Sequence, residues 1–126
     1  MFKVIDLAKA PAEPTVRVAI CQIPLTRDQF ATAGSSLAAE PLAALERRIL
    51  RTLDELKPYK PQLVQFPECT IPDSILPLLR KWSAENNCIV IAGTHYEEAP
   101  QGYLSKCPIL FPDGKEYACE KTTISP

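Results

Sequence analysis

The amino-acid sequence predicts an α/β domain built on a mixed sheet. Short β-branched runs alternate with amphipathic helical stretches over the first part of the chain, and two strand-like runs flank a Pro112-Asp113-Gly114-Lys115 turn near its end. An apolar fraction of 46% is that of an ordinary globular core. Strand-helix-strand alternation calls for parallel neighbours joined by crossovers, whereas a tight turn joins antiparallel ones, so the expected sheet is mixed.

Each element follows from its residues. Ala8 to Thr15 carries Pro11 and Pro14, which forbid regular pairing, so residues 1–15 are expected as a leader and 16–126 as the folded unit. Val16 to Ile23 is rich in β-branched residues and reads as a largely buried strand. Pro24 to Glu40, with Gly34-Ser35-Ser36, reads as an irregular loop. From Pro41, residues Leu42, Leu45, Ile49, Leu53 and Leu56 recur at helical spacing opposite Glu46, Arg47, Arg48, Arg51, Asp54 and Glu55, which predicts a helix that Pro58 and Pro61 end. Gln62 to Phe66 supplies a second strand.

Ile75, Leu78, Leu79 and Trp82 mark a second helix, with Asp73 or Ser74 as the expected cap and Pro77 in the first turn. Asn86-Asn87 is a helix stop, and Cys88 to Gly93 a third strand. Strands at about Tyr103 to Phe111 and Glu116 to Lys121 complete the order β, α, β, α, β, β, β.

Composition excludes several function classes. A chain of 126 residues is one domain's worth and can bury roughly two thirds of its unfolded surface. A net charge of -1 argues against nucleic acid as a partner. No apolar run reaches the roughly 20 residues that span a bilayer, and Met1 to Lys9 lacks the apolar core of a secretory signal, so a cytoplasmic protein without a membrane partner is expected. Five cysteines without a CxxC pair suggest neither a disulfide framework nor a metal site, and no cofactor is expected. Cys21, Cys88 and Cys107 lie in apolar runs and read as structural thiols. His95, the one histidine, rules out sites needing two and reads as a solvated loop residue after Gly93-Thr94. Gly93 and Gly102 form no phosphate-binding fingerprint.

The chemistry is expected at Leu63-Val64-Gln65-Phe66-Pro67-Glu68, where a buried strand ends in an ionisable carboxylate. Strand ends are where open α/β sheets place their reacting groups, which makes Glu68 the leading catalytic candidate. Lys121 closes the last strand and can bring an ammonium group to the same rim. A carboxylate and an ammonium desolvated together compensate each other, so the same two residues are also compatible with a structural ion pair in an independent α/β domain.

Val18-Ala19-Ile20-Cys21-Gln22, Leu63 to Glu68, Ile89-Val90-Ile91-Ala92-Gly93-Thr94, and Pro112-Asp113-Gly114 followed by Glu120-Lys121 resemble, in sequence and order, the N-terminal half of the carbon-nitrogen hydrolase (nitrilase/amidase) superfamily. The resemblance runs from about Val16 to the end of the chain. It implies part of an α-β-β-α sandwich with the C-terminal half absent, and a Glu-Lys-Cys catalytic set. Glu68 then corresponds to the general base and Lys121 to the cation that steadies a tetrahedral oxyanion. A small-molecule amide or nitrile is the implied substrate, and a homo-oligomer the implied assembly of the full-length protein.

The resemblance also implies a nucleophilic Cys a few tens of residues after the lysine, past Pro126, so the 126 residues alone are expected to be inactive. Cys119 is a conceivable substitute, because two residues apart on a strand Cys119 and Lys121 share a face. Cys69 points away from Glu68 if the strand continues. Without its second half, the sheet is expected to expose an edge and an apolar face. A non-catalytic nitrilase-like interaction or regulatory module, appended to another enzyme, is the alternative to a hydrolase.

Overall fold

The computed structural model describes residues 2–6, 15–26, 29, 39–94, 96–100 and 102–124. Its elements are β1 (Phe2–Asp6), β2 (Arg17–Cys21), α1 (Ala39–Leu56), β3 (Leu63–Gln65), α2 (Leu76–Asn86), β4 (Ile89–Ile91), β5 (Tyr96–Ala99), β6 (Gly102–Leu110) and β7 (Glu116–Ile124). The fold is mixed α/β, with the strands in one seven-stranded sheet.

The β2, β3 and β4 strands pair in parallel, each joined to the next by a helical crossover, with Val18 opposite Leu63 and Leu63 opposite Ile89. Both β4 and β5 lie antiparallel along one edge of β6, and β7 takes the other edge. The β6·β7 hairpin turns where the sequence places it. Phe111 N–H donates to Lys115 O at 2.9 Å, Gly114 N–H to Phe111 O at 3.0 Å, and Gly114 adopts φ +84°.

Two strands escape the sequence reading. Residues 1–15 were expected as a leader, yet Phe2–Asp6 pairs antiparallel with β2, Phe2 opposite Cys21. Its Phe-Lys-Val-Ile run suits a strand, but only a partner distant in sequence makes it one. The proline-bearing stretch 8–14 lies outside the described residues. The second is β5, whose backbone satisfies the half of β6 that extends past β4.

Both helices pack on one face of the sheet. Ala19, Cys21, Val64, Phe66, Val90, Ala92 and Leu110 from the sheet join Leu45, Ile49, Leu53, Leu56, Leu79 and Trp82 from the helices in one buried cluster. The intervening residues point the other way, because side chains alternate along a strand. That second face carries half-buried Val18, Leu63, Ile89, Ile91 and Ile109, with Ile20 and Tyr117 exposed.

The helix ends differ in detail from expectation. Helix α1 begins at Ala39, inside the stretch expected as loop to Glu40. Buried Gln29 fixes this entry: its side-chain N–H donates to Pro41 O at 3.3 Å and its Oε1 accepts from Arg48 at 3.2 Å. Asp73 and Ser74 do not cap α2. A short 3-10 turn over Asp73–Ile75 leads into it, and the Ser74 hydroxyl donates to Glu46 Oε1 at 2.6 Å instead. Pro77 sits in the first turn, and Asn87 ends the helix in the left-handed region at φ 49°.

Candidate active site

After Gln65 the chain leaves the sheet, and Glu68 and Cys69 form a tight turn. Cys69 adopts φ 62°, a conformation uncommon for a residue with a Cβ. The neighbouring strand holds it there: Cys69 N–H donates to Thr94 O at 3.2 Å, while Thr70 and Ile71 both donate to Gly93 O, at 3.1 and 2.9 Å. Gly93 is what lets the turn come so close. A Cβ at that position would lie 2.2 Å from Pro67 O and 2.6 Å from Glu68 Cα, well inside van der Waals contact. The turn therefore projects Glu68 outward at the C-terminal ends of β3 and β4, with its side chain exposed.

Lys121 reaches the same region along β7. The hairpin register sets Ser105 opposite Lys121 and Cys107 opposite Cys119. Glu68 and Lys121 both line one cavity of about 350 Å³, together with Gln65, Ile91, Cys107 and Cys119. Glu68 also borders a second, more open cavity of about 590 Å³, bounded by Gln22, Ile23, Pro24, Leu25, Pro67 and Thr70. The carboxylate thus stands between two hollows, one walled by the hairpin and the other by the start of the loop after β2.

The cysteines divide into two groups. Burial pushes the thiols of Cys21 and Cys88 from 9.0 up to about 12, which suits inert core residues. Cys69 is also buried, and the chain turns at that residue rather than continuing as a strand. Cys107 is not the core thiol its apolar run suggested. It is half-buried on the cavity wall, and its thiol is raised by burial first, then by Cys119 and Glu68. Its strand parity is the reason: Pro108 and Leu110 face the helices, so Cys107 and Ile109 face away. Cys119 is exposed and shares Lys121's face, as their spacing requires.

A bidentate ion pair anchors the hairpin to the helical layer. Arg80 of α2 donates to both carboxylate oxygens of Glu116 at the start of β7, at 2.7 and 3.2 Å. Their mutual hydrogen bond raises the guanidinium and lowers the carboxyl. His95 lies outside the described residues.

The arrangement is an α/β sheet with Glu68 at the ends of β3 and β4, and Lys106, Cys107, Cys119, Glu120 and Lys121 along β6 and β7, around one hollow. Neither a protein-family model nor a curated protein matches the chain. No described helix is long and apolar enough to cross a membrane.

Proposed function

We propose that this chain is the N-terminal part of a thiol-dependent hydrolase of the nitrilase/amidase type, acting on a non-peptide carbon-nitrogen bond in a small amide or nitrile. The observation that supports this reading is that Glu68 and Lys121, far apart in sequence, line one cavity. In the reaction, Glu68 takes the proton of a cysteine thiol, and the thiolate attacks the amide carbonyl or nitrile carbon. Lys121 steadies the negative charge that develops on the attacked group. Nitrogen departs as ammonia or an amine, and water releases the covalent intermediate.

The sulfur is assigned to residues following Pro126 in a longer natural chain. In that protein the half-buried apolar face of the sheet would be covered by the second half of a sandwich. The same face, on which Ile20 and Tyr117 are exposed among the described residues, favours a second reading, in which the domain is a non-catalytic nitrilase-like module that docks on another protein.

The test is to express the natural reading frame containing this chain, incubate it with short amides and nitriles, and quench in acid for intact mass. The hydrolase reading expects ammonia in solution and a substrate-derived acyl group on one cysteine. A full-length protein that gives neither across the series overturns it in favour of the docking module.

A further inference from the structure

Cys107 and Cys119 are directly opposed Cα partners across β6 and β7. Their pairing type follows from the other edge of β6. Lys106 and Pro108 turn their carbonyls toward the β4 side, accepting from Thr94 N–H at 3.1 Å and Ala92 N–H at 2.9 Å. Alternation then directs the N–H and C=O of Cys107 toward β7, which makes Cys107 and Cys119 a hydrogen-bonded pair with Cα atoms about 5.5 Å apart. That spacing lies within the range a disulfide spans. Both side chains stand on the face away from the helices and line the same cavity, Cys119 exposed and Cys107 half-buried.

We infer that Cys107 and Cys119 form an oxidation site, in which a peroxide converts the two thiols into a reversible cross-strand disulfide on the cavity wall. The sulfur of exposed Cys119 attacks one peroxide oxygen. The O–O bond breaks, one oxygen leaves as water or an alcohol, and Cys119 becomes a sulfenic acid. The sulfur of Cys107 then attacks that of Cys119. The S–O bond breaks, its oxygen leaves as water with the Cys107 proton, and the S–S bond forms. The peroxide has accepted two electrons, one from each sulfur.

Two features give the site its character. Among the described residues Cys119 is the exposed cysteine, whereas Cys21, Cys69 and Cys88 are buried, so oxidation begins at one place. In a hydrogen-bonded strand pair the Cβ atoms stand wider than the roughly 3.8 Å of a relaxed disulfide, so closing the bond draws the strands together. The bond is then readily reduced by a dithiol, as befits a responsive link rather than a structural one. None of this rests on the hydrolase reading, since it needs only the hairpin register and the two exposures.

The experiment uses the chain as it stands. It is exposed to hydrogen peroxide, its remaining thiols are blocked with N-ethylmaleimide, and it is digested with trypsin. The expected product joins the peptide 107–115 to the peptide 116–121 through one disulfide, and a dithiol separates them. Cys107→Ser should leave a sulfenic acid on Cys119 that a cyclic 1,3-dione captures, whereas Cys119→Ser should protect Cys107. Maleimide on both sulfurs after peroxide, a sulfinic acid on wild-type Cys119, or a link between two chains would each overturn the assignment.

Discussion

A Cβ added to Gly93 would stand 2.6 Å from the Cα of Glu68, so the bare backbone at one strand end fixes where the carboxylate turn can sit. The clash is with backbone atoms of Pro67 and Glu68, which no rotamer change relieves. Gly93→Ala must therefore push the turn away, at a cost of about 1–3 kcal/mol for overpacking. Denaturant unfolding should show that loss. Gly114 offers the contrast, because nothing lies within 4 Å of its added Cβ and only φ +84° resists substitution. Gly114→Asn, which tolerates the left-handed region, should cost less than Gly93→Ala; the reverse order would contradict this description of the turn.

Leu79 is fully buried in the shared core, whereas Leu78 beside it is 39% exposed. Leu79→Ala should cost about 2–5 kcal/mol, the usual penalty for emptying a packed aliphatic site. Leu78→Ala should stay within about 0.5 kcal/mol. Matched denaturant curves on the two variants decide whether α2 presents the face described.

The Arg80–Glu116 pair predicts a specific acid response. Because Arg80 holds the Glu116 carboxyl below its ordinary 4.5, the folded state binds this proton less readily than the unfolded chain. Its stabilisation is present above that ordinary value and is lost as the pH falls through the lower folded value. Both side chains are about a third or more exposed, so solvent screening limits the pair to about 0.2–1 kcal/mol. Glu116→Gln should flatten the low-pH limb of stability by that amount and leave the neutral limb of its pH slope unchanged. An unaltered acid limb would remove the pair from the accounting.

Much of this architecture is legible in the sequence where a pattern is local and sustained. Helix α1 declares itself because five apolar residues keep helical spacing against a charged face, and the β6·β7 turn because Asp113-Gly114 demands it. Strand β1 is hidden because its identity depends on pairing with β2, and β5 because Tyr96-Glu97-Glu98-Ala99 has no apolar alternation of its own. The caps expected at Asp73 and Ser74 fail because both residues belong to a 3-10 turn that precedes the helix, which puts Ile75 at its N-cap position.

At the site, the strand end explains why Glu68 could be singled out, and the hairpin register why Cys119 and Lys121 share a face. The pairing of Cys107 was hidden by the loop: a two-residue Asp113-Gly114 turn would set Cys107 opposite Glu120, whereas the register centred on Asp113 sets it opposite Cys119. Gly93 could not have been read either, since the contact that requires a glycine there joins two segments that meet only in the folded sheet.

The measurement closest to the central proposal is the rate of ammonia release by the full natural protein and by its Glu68→Gln variant, each shown by circular dichroism to be folded. If Glu68 is the general base, the amide variant loses about 10²–10⁴-fold in turnover while stability barely changes. A Glu68→Gln protein that turns over at the wild-type rate would contradict the role given to this carboxylate and, with it, the hydrolase reading.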